Sequence, residues 1–199
     1  MSKLRMLAWA GPVAAVVWVA AVVMFGARLE GFDQLRHPIS LLGARGVPGG
    51  ELFSVLGFVV PGLLSALAMF GLVLRMPANA PRTLRVGGQM LLLACVAFTA
   101  MGLLPLDVDD IENRASQFHA SAWLLWLVAF CAGAIALRLG AGKASPWRSL
   151  ATLAVVCAIW SACSAFLFQA AMPVAMAQRL AFLGWLVWLL GAWRLAPAR

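Results

Sequence analysis

Six apolar runs, each near the length that crosses a bilayer, leave this chain little choice of fold. About 20 apolar residues in a helix span the roughly 30 Å of bilayer hydrocarbon, and the runs lie at about 6–27, 52–74, 86–104, 118–139, 150–170 and 180–195. None alternates apolar and polar residues as a barrel strand would. Helices also satisfy their own backbone hydrogen bonds in lipid. The expected fold is therefore all-α, a six-transmembrane-helix bundle forming a single membrane domain over residues 1–199. Lys3 and Arg5 precede the first run as they would precede a secretory signal, but the run outlasts the roughly 7 to 15 apolar residues of such a core. It reads as a retained helix.

Hydrophobic residues make up 64% of the chain and charged residues 11%, which excludes an ordinary soluble domain. The formal net charge of +8 does not imply nucleic acid, because the basic residues cluster beside apolar runs, where they meet lipid headgroups and set orientation. Membrane lipids are the expected partners.

Alternation of the runs places Lys3, Arg5, Arg75, Arg82, Arg85, Arg138, Lys143, Arg148, Arg194 and Arg199 on one side. Arg28, Arg36, Arg45, Arg114 and Arg179 fall on the other. Ten against five predicts both termini in the cytoplasm, in a bacterial inner membrane. The other side also receives all seven acidic residues and both histidines. Acidic residues contribute little to the positive-inside rule, so their segregation asks for a separate reason, and a polar site on that side is a candidate.

The connection from about Arg28 to Glu51 is the longest, and long loops in compact proteins are functional or disordered. Phe32, Leu35, Ile39, Leu41 and Leu42 argue for order, as a short interfacial helix over the bundle. Pro38 would sit in its first turn, Gly43 and Gly46 would end it, and Asp33, His37 and Ser40 would share a face. The competing reading is a set of capping and solvating residues on a surface loop.

The second polar cluster follows the third run. Pro105 breaks the helix, Asp107, Asp109, Asp110 and Glu112 extend into water, and Ser116 is expected to cap the fourth helix, which puts His119 near its third position. Asp107 and His119 then stand at similar depth. The acidic run lacks the glycine and terminal carboxylate of an EF-hand loop, and solvated charge is its simpler reading.

The stretch GFDQLRHPISLLGARGVPGGELFSVLGFVVPGLL, the turn GLLPLD and the helix opening QFHASAWLLWLVAF resemble the membrane proteins grouped as domain-of-unknown-function family 998. There D-x-x-x-x-P-I-S-x-L-G follows the first helix, G-x-F-P-x-D follows the third, and a histidine opens the fourth. The resemblance spans nearly the whole chain and marks Asp33, Pro38, Ser40, Gly43, Gly102, Pro105, Asp107 and His119. Leu104 replaces the family's usual aromatic, and Leu41 replaces an acidic or small residue. The resemblance carries fold and site, but no activity.

His119, Asp107 and Ser40 are the catalytic candidates: His119 as base or metal ligand, Asp107 to orient it or bind the same ion. Asp33, His37, Arg179 and Gln169 are the substrate-binding candidates, with Gln178 on the same face, and Arg179 placed to neutralise Asp107 or meet an anionic headgroup. His119, His37 and Asp107 are the candidate ligands of a divalent metal. Cys95, Cys131, Cys157 and Cys163 lie within the spans and read as small hydrophobes. Ser161, Ser164, Thr99 and Ser121 read as helix-packing hydroxyls.

An enzyme acting on a lipid-like or isoprenoid substrate is the favoured class. The alternatives are a small-molecule or proton-coupled transporter and a non-catalytic lipid-binding accessory protein. No charged residue falls in mid-run and no inverted repeat is evident, which weighs against transport.

Overall fold

The computed structural model describes residues 3–110 and 112–197, and the side chains of residues 3–6 and 8 are outside that description. Arg199, and the side chains of Lys3 and Arg5, which entered the orientation count, lie outside the described residues. Six long helices carry the fold: α1 (Lys3–Arg28), α2 (Gly50–Arg75), α3 (Arg82–Leu103), α4 (Arg114–Gly140), α5 (Arg148–Phe166) and α6 (Val174–Leu195). All six contain a stretch long and apolar enough to cross a membrane, and the protein is a multi-pass, all-helical membrane protein.

The helices form a ring in sequence order. Each packs on the next, and α1 closes the ring against α6 along the sparsest of the six seams. The Trp9 and Trp193 rings lie 4.3 Å apart between centroids, tilted by 32°, which brings the start of α1 beside the end of α6. The long first loop sits at the opposite end, called here the site end.

Lipid offers no hydrophobic drive for helices to associate, so close backbone approach and shape must hold the ring together. Glycines supply the approach. A Cβ on Gly87 of α3 would lie 2.5 Å from the Leu137 nitrogen of α4, and one on Gly133 would lie 3.0 Å from the Leu91 nitrogen of α3. Gly140 abuts the Leu84 backbone in the same way. These contacts explain why α3 and α4 form the most extensive pair.

Large rings fill the middle. Phe98 of α3, Trp126 and Phe130 of α4, and Phe182, Trp185 and Trp188 of α6 are buried. Their contacting centroids lie 4.9–6.4 Å apart, within the range of favourable aromatic pairs. Val16, Val23, Leu63, Val128, Ile135 and Val156 face outward, as a lipid-facing surface requires.

Two local departures from regular helix shape the site end. The second turn of α2, Ser54–Val59, is wound as a π-helix, a form common near functional sites. It brings the Ser54 carbonyl against Gly102 of α3, where a Cβ would sit 2.5 Å from that oxygen. The interfacial helix expected in the first loop is only one 3₁₀ turn, Ile39–Gly43. Pro38 precedes it as the cap residue in extended conformation (φ −66, ψ 150) rather than opening a helix. The chain leaves again through Ala44, also extended, so five residues are all that remain. Ile39 and Leu42 point into the core, and the buried Ser54 hydroxyl donates to the Gly43 carbonyl at 3.0 Å.

Candidate functional site

The site begins with how α3 ends. The last carbonyls of a helix lack intrahelical donors, and Pro105, two residues past Leu103, stops the chain from supplying any by continuing the helix. His119 of α4 fills that gap. Its Nδ1 lies 3.0 Å from the Met101 carbonyl oxygen and 2.9 Å from that of Leu104. An atom between two acceptors must carry hydrogen, so Nδ1–H donates to both, and in the neutral form of the ring Nε2 is then a bare acceptor. The residue is 8% exposed, and Phe58 packs edge-on against it at 6.1 Å.

His119 is reached from a cavity of about 220 Å³ at the site end. Its wall combines Phe58, Met101, Leu106, Trp123 and Phe182 with the polar Ser40, Ser116 and Gln178. Ser40 comes from the 3₁₀ turn of the first loop and His119 from α4, so the two polar segments of the sequence converge. A backbone bond fastens them: Arg45 N–H donates to the Leu106 carbonyl at 2.8 Å, and Arg45 pairs with Asp107 in a parallel bridge.

Asp107 organises the turn between α3 and α4. Its Oδ1 accepts the Asp109 N–H at 3.1 Å, and its Oδ2 accepts the Asn113 side-chain amide at 2.9 Å. Its own N–H donates to the Ser116 hydroxyl at 3.1 Å. Asn113, not Ser116, caps α4, with its side-chain oxygen accepting the Ser116 N–H at 2.9 Å. The Ser116 hydroxyl is taken up by the Asp107 and Asp110 carbonyls. With the cap three residues earlier than the sequence suggested, His119 stands in the second turn of α4. Asp107 and His119 share no hydrogen bond among the described residues.

The Asp33 and His37 pair closes on itself. Asp33 N–H donates to His37 Nδ1 at 2.9 Å, and His37 N–H donates back to the Asp33 carbonyl at 2.9 Å. The Asp33 carboxylate accepts the Leu35 N–H at 2.7 Å and lies 3.6 Å from Arg36. Neither of the two lines the His119 cavity that Ser40 lines.

Arg179 ties the loop to the bundle. Nη1 donates to the His37 carbonyl at 2.9 Å and to the Ala175 carbonyl at 3.0 Å, and Nη2 donates to Gln34 Oε1 at 2.9 Å. It makes no ion pair with Asp107 among the described residues. Gln169 folds back on the Ala165 carbonyl and is exposed. Gln178, one residue before Arg179, is the glutamine that lines the cavity.

Met101, Leu106, Trp123 and Phe182, also in the wall, escaped the sequence reading because an apolar residue at a helix end carries no sign of which face it presents. Among the hydroxyls, Ser161 donates to the Ala181 carbonyl of α6 at 2.8 Å, while Thr99 and Ser121 bond carbonyls of their own helices, as expected of packing residues.

Among the described residues, no group of three or more His, Cys, Asp or Glu side chains is placed to hold a metal ion. His119 offers one free nitrogen, Asp107 is committed to Asn113 and Asp109, and the Nδ1 of His37 accepts from Asp33.

A sequence-family model described as a protein of unknown function (DUF998) matches residues 12–194, nearly the whole chain. No curated protein and no solved structure matches.

Proposed function

The chain belongs to this DUF998 family of proteins of unknown function, and from that premise we propose that it is an enzyme acting on the polar end of a lipid-like or isoprenoid substrate. The observation that supports this reading is the bare Nε2 of His119 in a cavity that also holds Ser40 and Gln178. A histidine fixed at Nδ1 with a bare Nε2 is arranged as a general base. It takes a proton from a hydroxyl or water as that oxygen attacks the substrate, and returns the proton to the leaving oxygen. Ser40 and Gln178 hydrogen-bond the substrate's polar atoms. Asp107 is a positioning residue: it shapes the turn that carries Leu104 and Leu106.

A cavity of about 220 Å³ is smaller than the roughly 300 Å³ at which drug-sized ligand sites begin. It takes a reacting end, and the remainder of an amphiphile stays in the membrane. A divalent metal would have to complete its shell with substrate oxygens around His119 Nε2. The excess of Lys and Arg at the other end supports an inner-membrane orientation with both termini cytoplasmic and the cavity on the extracytoplasmic face. The transport reading has less support, because Phe98, Trp126, Phe182 and Trp185 fill the bundle axis beneath the cavity.

The test is lipid turnover. Wild-type protein, His119→Asn and Ser40→Ala are reconstituted in a bacterial total lipid extract, and every lipid species is followed by mass spectrometry. Wild type converts at least one species and His119→Asn does not. Equal lipid profiles in the two samples would remove the enzyme reading.

A further inference from the structure

A second, separate opening lies on the flank of the bundle. Along the α1/α6 seam, an open groove of about 600 Å³ is walled by Trp18, Val19, Val22, Val23, Leu183 and Leu186, with Gln34 and Arg179 at its site end. No residue lines both this groove and the His119 cavity. The groove runs along two helices that cross the membrane, so hydrocarbon chains surround it.

Arg179 makes the groove more than a gap between helices. The guanidinium has five N–H donors, of which three go to the neutral oxygens of His37, Ala175 and Gln34. Its Nε is enclosed without a partner, and one Nη2 hydrogen also remains. No carboxylate lies within 4 Å among the described residues: Asp33, the acidic group in electrostatic reach, pairs with Arg36 and accepts the Leu35 N–H. A charge half-buried beside an apolar groove, with its nearest carboxylate paired to Arg36 and the Phe32 ring beneath it at 6.0 Å, gains from an anion that reaches it directly.

We propose that this groove binds one anionic phospholipid of the surrounding membrane, its acyl chain along α1 and α6 and its phosphate at Arg179. The apolar walls match a chain, and the cation stands at the site end of the groove, in the second turn of α6. A zwitterionic lipid fills the same walls but brings its own cation to Arg179.

Native mass spectrometry tests this on the purified full chain, offered equimolar dioleoyl phosphatidylglycerol and dioleoyl phosphatidylcholine. Wild type retains one phosphatidylglycerol about fivefold in preference, the effect of one basic residue near an anionic headgroup. Val23→Trp and Leu183→Trp fill the groove from outward-facing positions, 58% and 45% exposed, leave Arg179 untouched, and abolish that retention. Arg179→Gln loses the preference between the lipids. If it does not fold, the tryptophan variants decide. His119→Asn keeps the preference, so this site and the enzyme reading fail separately. Equal retention of both lipids by wild type, or undiminished phosphatidylglycerol on Val23→Trp, would overturn the proposal.

Discussion

The Nδ1 of His119 lies 2.9 Å from the Leu104 carbonyl oxygen, so one bond both ends helix α3 and sets which ring nitrogen is left without a backbone partner. The histidine therefore has a structural task and a chemical one, and substitutions can separate them. Asparagine places its amide N–H where Nδ1–H lies but has nothing at the Nε2 position. His119→Asn is expected to unfold within about 1 kcal/mol of wild type in detergent, while His119→Ala, leaving the buried Met101 carbonyl and the partly buried Leu104 carbonyl without this donor, loses about 1–3 kcal/mol. Thermal unfolding of the three proteins checks the order, and both variants lose turnover.

Asp107 should behave in the opposite way. Its carboxylate touches Asn113 and the Asp109 amide, not the imidazole. Asp107→Asn turns an amide against the Asn113 amide and costs about 0.5–1.5 kcal/mol of stability while leaving most of the lipid turnover. A loss of turnover equal to that of His119→Asn, at unchanged stability, would show that Asp107 acts on the substrate itself.

The α3/α4 seam makes a prediction that is independent of function. Gly87→Ala puts a methyl group 2.5 Å from the Leu137 nitrogen, which forces the helices apart at a cost of about 1–3 kcal/mol. A Cβ on Gly142, in the loop two residues past the end of α4, would meet nothing within 4 Å, so Gly142→Ala stays within about 0.5 kcal/mol of wild type. Equilibrium unfolding in mixed micelles compares the two.

Orientation can be read chemically. The Arg36 side chain at the site end is 82% exposed, and Lys143 lies in the loop between α4 and α5 at the opposite end. In intact cells, an impermeant maleimide should label Arg36→Cys, and Lys143→Cys only after permeabilisation, over the background of the native cysteines. The reverse pattern would contradict the orientation taken from the basic residues.

The fold was legible because hydrocarbon admits so few solutions: six runs of suitable length had to become six helices. Their ends were less legible. Asn113 takes the cap that Ser116 was expected to take, because the two side chains, three positions apart, both satisfy the same local pattern. The first loop was read as ordered, correctly for Ile39 and Leu42, but Pro38 and Gly43 confine its helix to a single turn. The convergence of Ser40 with His119 depends on the Arg45 to Leu106 backbone bond, between residues about sixty positions apart, and no spacing in the sequence encodes that. Arg179 stood out only as a charge near a helix start; its bond to the His37 carbonyl is a tertiary fact.

The most direct test of the account is the protonation state of His119 itself. The chain has only two histidines, so ¹⁵N-histidine protein and a His37→Gln control assign both rings by NMR in lipid nanodiscs. The expected result is a neutral His119 ring with hydrogen on Nδ1 and a bare Nε2 whose resonance moves when the converted lipid is added. A ring protonated at Nε2 with bare Nδ1, or an Nε2 resonance indifferent to every lipid offered, would contradict it.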